Sequence, residues 1–69
     1  MLSADSAQVN WDTQKKHWSV RVKVGEEVMR RPIPEVAADA SDDVLRSAAV
    51  QAAQDDGYQV DPAKVDIAH

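Results

Sequence analysis

Apolar and polar residues alternate strictly through the first third of this chain, and that alternation restricts the fold more than any other feature. Val9 and Trp11 share one parity, with Gln8, Asn10 and Asp12 on the other. After Thr13 to Lys16 the pattern resumes as Trp18, Val20, Val22 and Val24, set against His17, Ser19, Arg21 and Lys23. Period two over such lengths predicts two half-buried strands. Folded as an antiparallel hairpin with Trp11 opposite Trp18, the pair sets Val9 opposite Val20 and gathers both apolar rows on one side. A slip of one residue would invert a strand, so the apolar pattern itself sets the register. Gln14-Lys15 is not a favoured two-residue turn, which leaves a four-residue loop over 13–16 as an equal alternative.

Gly25-Glu26 supplies a second tight turn, leading to a third strand near Glu27 to Arg31, with Val22 opposite Met29 as the preferred pairing. The faces of Val28, Met29, Arg30 and Arg31 stay open at this level. Pro32 has no N–H to give a ladder, so the strand belongs at an edge. Pro34 and Glu35 to Ala40 then form a connection, with Val36 tucked under the next element.

That element is a helix over Ser41 to Gly57. Ser41 is an N-cap, Asp42 and Asp43 suit the positive end of the helix dipole, and Gly57 fits the residue after the last turn. Val44, Leu45, Ala48, Ala49, Ala52 and Ala53 make the expected buried face, with Val50 as a lone surface residue. Asp55 and Asp56 sit where the dipole disfavours them, by about 0.3–1 kcal/mol each. They read as a solvated helix end or as a site for a cation or a basic partner. Tyr58 and Val60 continue in extended form to an Asp61-Pro62 turn, and a last strand over Lys64 to Ala68 points Val65 and Ile67 inward. A right-handed crossover lays this strand beside the first. The fold class is α+β: a three-stranded antiparallel meander, one helix, then a fourth strand (β-β-β-α-β), sheet order 3-2-1-4, with the helix on one face and both indoles beneath its alanines. Residues 1–6 are expected to be a flexible lead-in and 7–69 a single small domain.

A chain of 69 residues has a thin stability margin, and small domains often reinforce themselves with disulfides, metals or oligomerisation. There is no cysteine, so homodimerisation is the plainest reinforcement left. No apolar run suits a signal peptide or a membrane span, and a cytoplasmic protein with no membrane partner is expected.

Catalysis is not expected. His17 falls on a solvent face, beside Asp12 across the hairpin, and His69 is the last residue. Neither stands in a nucleophile arrangement. No glycine-rich phosphate loop or calcium-loop spacing occurs, so no cofactor and no metal are assigned. Charge is the one site-like feature. The net value is −4, yet Lys15, Lys16, Arg21, Lys23, Arg30 and Arg31 crowd into 13–31, and the acids dominate from 32 onward. The candidate partner-binding face is therefore Lys15, Lys16, His17, Arg21, Lys23, Arg30 and Arg31. A protein partner, bound through this face or a sheet edge, is the first expectation. Nucleic acid is the alternative, disfavoured by the negative total charge and by the absence of a stacking aromatic on that face.

The order of elements, a strand meander followed by an Ala-rich helix behind a Ser cap, resembles two kinds of small protein. One is the HicB-like antitoxin domain; the other is the small archaeal ribosomal protein LX, with a similar strand, helix and strand rhythm. The resemblance spans most of the chain by order alone. The Pro-Asp-Leu-Pro-Gly run of HicB-like loops has no counterpart in Glu35 to Ala40, and no residue is carried over.

Overall fold

A computed structural model describes residues 2–68. The long strands are β2 (Ser6–Asp12), β3 (His17–Val24) and β4 (Glu27–Ile33), followed by helix α1 (Asp42–Asp55). Two short strands, β1 (Leu2–Ser3) and β5 (Tyr58–Gln59), and a closing strand β6 (Val65–Ala68) complete the chain. The fold is α+β and mostly sheet, with one helix and six strands among the described residues. Against the expected β-β-β-α-β string of four strands, the structure has two sheets, ordered β4-β3-β2-β6 and β1-β5. The radius of gyration, 11.0 Å, is what a folded chain of this length should show, about 11 Å.

The β2–β3 hairpin pairs Trp11 with Trp18 and Val9 with Val20. The two indoles meet edge to face, centroids 5.2 Å apart and planes at 71°, a geometry worth about 0.5–1.5 kcal/mol beyond the area it buries. Four residues, 13–16, form the loop. Asp12 closes it: its Oδ1 accepts the N–H groups of Gln14 and Lys15, both at 3.0 Å, and its carbonyl accepts the Lys16 N–H at 2.7 Å. Lys16 takes the left-handed conformation this loop requires, at φ 56°. The β3–β4 turn uses only Gly25 and Glu26, with Gly25 at φ 61°, as a two-residue hairpin turn with glycine first demands. Met29 pairs with Val22, and β4 runs on to Ile33, two residues beyond the expected end. Pro32 lies in this strand at the edge of the sheet.

Within the expected lead-in, 1–6, residues from Leu2 onward have strand partners and hydrogen bonds (Met1 lies outside the described residues). Leu2 and Ser3 pair in parallel with Tyr58 and Gln59, and Ala4 is buried. Leu2 donates to the Gly57 carbonyl at 3.1 Å and Ala4 to the Gln59 carbonyl at 2.8 Å. Asp5 reaches the far turn, where its Oδ2 accepts the Gly25 N–H at 2.8 Å. The start of the chain thus ties together the segment after the helix and the end of the second hairpin.

Helix α1 begins at Ser41, whose Oγ accepts the Val44 N–H at 3.4 Å. Leu45, Ala49, Ala52 and Ala53 are its buried face. They close a core with Ala7, Val9, Trp18, Val20, Val22, Ile33, Val60 and Val65. Small alanines facing two indoles and a row of valines let the helix approach the sheet closely, which is how a chain without Phe fills its interior. Two helix assignments are corrected. Val44 is 50% exposed, whereas Val50 is half-buried and packed on the core. Both flank the buried stripe, and Val50 borders the same depression as Pro62. Asp61 caps the single 3₁₀ turn Pro62–Lys64, its Oδ1 accepting the Ala63 N–H at 2.9 Å. The turn delivers β6 parallel to β2, Ala7 opposite Val65 and Val9 opposite Ile67.

Candidate functional site

One side of the four-stranded sheet carries the helix. The other is open, and strand parity decides what stands on it. Arg21, Lys23 and Arg30 are exposed there, and His17, Ser19 and Asn10 are half-buried between them. Arg21 lies directly opposite Arg30 on one side and Gln8 on the other, and Gln8 faces Asp66. Like charges set directly opposite one another destabilise a sheet pair. Among the described residues, Arg21, Lys23 and Arg30 form no salt bridge that would offset this. The face also holds Val28, 54% exposed and opposite Lys23.

Lys15 and Lys16 crown the loop at one end of this face. A shallow depression of about 490 Å³ runs from there past His17, Asn10 and Ser19 to Arg21 and Arg30. His17 and Arg21 are four residues apart on one strand, about 13 Å. The depression therefore has cations toward each end, with Asn10, Ser19, Trp11 and Asp12 lining it between them. Two acids temper it: Asp12, opposite His17, and Asp66, at the far end of the arginine row. The His17 Nδ1 lies 3.0 Å from the Trp18 carbonyl, which orients the ring along the strand.

Arg31 borders the same depression, but its strand parity and its side-chain contacts set it apart from the other cations. It pairs with Val20 in the ladder and so shares the parity of Met29 and Ile33 on the helix side. Its guanidinium reaches the end of α1, with Nη1 donating to Asp56 Oδ1 at 2.7 Å and Nη2 3.6 Å from Asp55 Oδ2. The two aspartates at the unfavourable end of the helix dipole thus have a cation supplied from within the chain. Asn10 and Ser19, the polar floor, and Val28 and Asp66, at its margins, carry no charge-run signal. Parity counted outward from the tryptophan pair would have located the first three.

Asp12 is the one group in this region with a clear acid–base signature. The Lys15 N–H foremost, then the Gln14 N–H and the charges of His17 and Lys15, hold its carboxyl below the usual carboxylate range, against a partial opposing effect of desolvation. A carboxylate whose folded pKa is depressed adds stability above its unfolded pKa, about 4, and loses it as pH falls through the folded value. The stability advantage of the native chain over Asp12→Ala should therefore be level near neutrality and narrow progressively below about pH 4. Asp12→Asn keeps an acceptor oxygen for the loop and should lose that acid dependence. Urea melts at stepped pH test this; an advantage that grows on acidification would contradict it.

Among the described residues, no three His, Cys, Asp or Glu side chains group as a metal would require, and no helix is long and apolar enough to cross a membrane. No buried side-chain polar atom lacks a hydrogen-bond partner among them. His69 lies outside the described residues. No family model, no curated protein and no solved structure matches the chain.

Proposed function

We propose that this protein is a non-enzymatic interaction module that binds an anionic segment of another protein on the open face of its sheet. The supporting observation is the Arg21–Arg30 pair: two arginines directly opposed in the ladder of adjacent strands, with Lys23 beside them and no carboxylate bonded to any of the three. An arrangement that strains the isolated sheet is relieved when acidic groups settle over it, so the uncompensated charge favours a partner of opposite sign. Arginine suits this role, since its planar fork can take a carboxylate in two parallel hydrogen bonds. The polar floor at Asn10 and Ser19 offers further hydrogen bonds to an extended chain lying between the cationic ends.

Nucleic acid is the second reading, carried by the same cations. Both indoles have the parity of the helix side and of the two only Trp11 borders the depression, so a base finds at most one ring to stack on and affinity would rest mainly on phosphate contacts.

Polyglutamate and a single-stranded oligonucleotide of equal charge, each titrated into isotope-labelled protein, separate the two. Polyglutamate should shift the amide signals of Asn10, Ser19, Arg21 and Arg30, and replacing Arg21, Lys23 and Arg30 together with Gln should weaken it at least ~10-fold, given charge-assisted hydrogen bonds of about 1.5–3 kcal/mol each. Tighter oligonucleotide binding with a steep, regular salt dependence would transfer the assignment to nucleic acid. Shifts confined to other surfaces, or an unaffected triple variant, would remove the basic face from consideration.

A further inference from the structure

The outer edge of β4 has a polarity of its own, separate from the open face. The two-residue turn closes on the pair Val24 and Glu27. Such a pair exchanges both main-chain hydrogen bonds, and bonded and non-bonded pairs alternate from there along an antiparallel ladder. Glu27, Met29, Arg31 and Ile33 therefore direct their main-chain groups to β3, while Val28, Arg30 and Pro32 direct theirs outward. Pro32 surrenders an N–H that would have pointed away from the sheet, so the inner ladder is intact. The outward groups of Val28 and Arg30 have no main-chain partner in any turn, loop or cap. The opposite edge offers less, since β6 has four residues and the Val65 N–H is already bonded to the Pro62 carbonyl.

We infer that this edge pairs antiparallel with the same edge of a second copy, about a twofold axis through Met29. Three registers would bring outward groups face to face. A centre at Arg30 sets Arg30 against its own copy, beside both Arg21 side chains, and spends Val28 on a proline that cannot donate. A centre at Val28 pairs Arg30 with Glu26, which is committed to the tight turn. A centre at Met29 has neither fault. There Val28 and Arg30 exchange both hydrogen bonds with Arg30 and Val28 of the second copy. Met29 packs on Met29 across the axis, and Glu27 stands opposite Arg31 on both sides of it.

The charge match is specific to that register. Proline and arginine on an edge strand are common guards against indiscriminate pairing. Here they reject the competing registers and leave one open, which is how a self-association is made selective. The exposed Val28 gains cover from the aliphatic stem of the opposing Arg30. The joined sheet also sets two open basic faces side by side.

Sedimentation equilibrium on the full chain, from about 10 μM to about 1 mM, reads the association, because an edge contact is small and of modest affinity. Val28→Pro removes an outward N–H without touching the inner ladder, and Glu27→Lys sets a lysine against Arg31. Each should weaken the dimer at least ~10-fold. The register is read separately by single cysteines, since the chain has none of its own. A non-bonded antiparallel pair has Cα atoms about 4.5 Å apart, within disulfide range, and a two-residue offset lies outside it. Met29→Cys should therefore oxidise to a covalent dimer at least ~10-fold faster than Val28→Cys or Arg30→Cys. A monomer throughout the concentration range, a dimer indifferent to Val28→Pro, or fastest crosslinking at position 28 or 30 would each overturn the inference.

Discussion

Replacing Leu45 with Ala should lower the melting temperature by at least ~10 °C and leave much of the chain unfolded at 37 °C. Leu45 is fully buried and is the largest side chain at that degree of burial among the described residues. Every other buried position on α1 is already alanine, so nothing else on the helix can fill the space it vacates. Truncating a buried Leu costs about 2–5 kcal/mol, with the upper end reached where the surroundings cannot collapse. A 69-residue domain has only about 3–10 kcal/mol in total, and at this size each kcal/mol moves the melting temperature by about 4–8 °C. Leu45→Met nearly conserves volume and should lose less than about 1.5 kcal/mol. Val44→Ala, one residue away but half exposed, should fall within about 0.5 kcal/mol of the native chain. Equal losses at positions 44 and 45 would mean that the helix is rotated from the orientation described here. Thermal and urea melts on the three variants decide it.

The contrast between Val44 and Val50 also shows where sequence reasoning stops. Periodicity locates the centre of the buried stripe, at Leu45, Ala49, Ala52 and Ala53, because those residues recur on one side of any helix. It says nothing about which flank is covered, because that depends on a neighbour outside the helix. The Pro62 turn comes close to the helix on Val50's side, and Val50 packs on the core while Val44 is half exposed. The β1–β5 pair is illegible for a related reason. Two residues are too few to show a period, and their pairing is set by where the helix ends and how the chain turns back. The hairpin is the opposite case: setting Trp11 opposite Trp18 keeps both apolar rows on one face, and a slip of one residue would invert a strand.

The candidate site divides in the same way. Arg21 and Lys23 follow from alternation anchored on Trp18, Val20 and Val22. Arg30 and Arg31 are neighbours in sequence, and composition alone groups them together. Once Met29 faces Val22, parity separates them, sending Arg30 to the open face and Arg31 toward the helix. An arginine on the covered side looks misplaced until Asp55 and Asp56 are seen beside it. The same contact explains two acids at the wrong end of a helix dipole, so two apparent anomalies resolve each other. Partly exposed, this pair adds little stability, about 0–1 kcal/mol; its larger effect is to direct Arg31 away from the open face.

Trp18 should be the second position at which truncation is close to ruinous, and for reasons distinct from those at Leu45. Its side chain is 4% exposed, and three separate interactions meet on it. The ring is buried in the core, it meets Trp11 edge to face, and its Nε1–H donates to the Ala37 carbonyl at 2.9 Å. That hydrogen bond fastens the long connection between β4 and α1 to the sheet, so Trp18 positions the helix as well as supporting it. Trp18→Ala should lose about 3–5 kcal/mol, comparable with the whole stability of a chain this size. Trp18→Phe keeps an aromatic ring against Trp11 but loses the donor, and should lose less, about 1–2 kcal/mol, from the hydrogen bond and the reduced volume. Its connection, 34–41, should also exchange amide protons faster than the native one, with β2 and β3 little changed. Trp11→Phe, at a half-buried position without that tether, should leave exchange in the connection near native. If Trp18→Phe and Trp11→Phe were indistinguishable in both stability and exchange, the tether to Ala37 would contribute nothing, and the helix would be held by its alanine face alone.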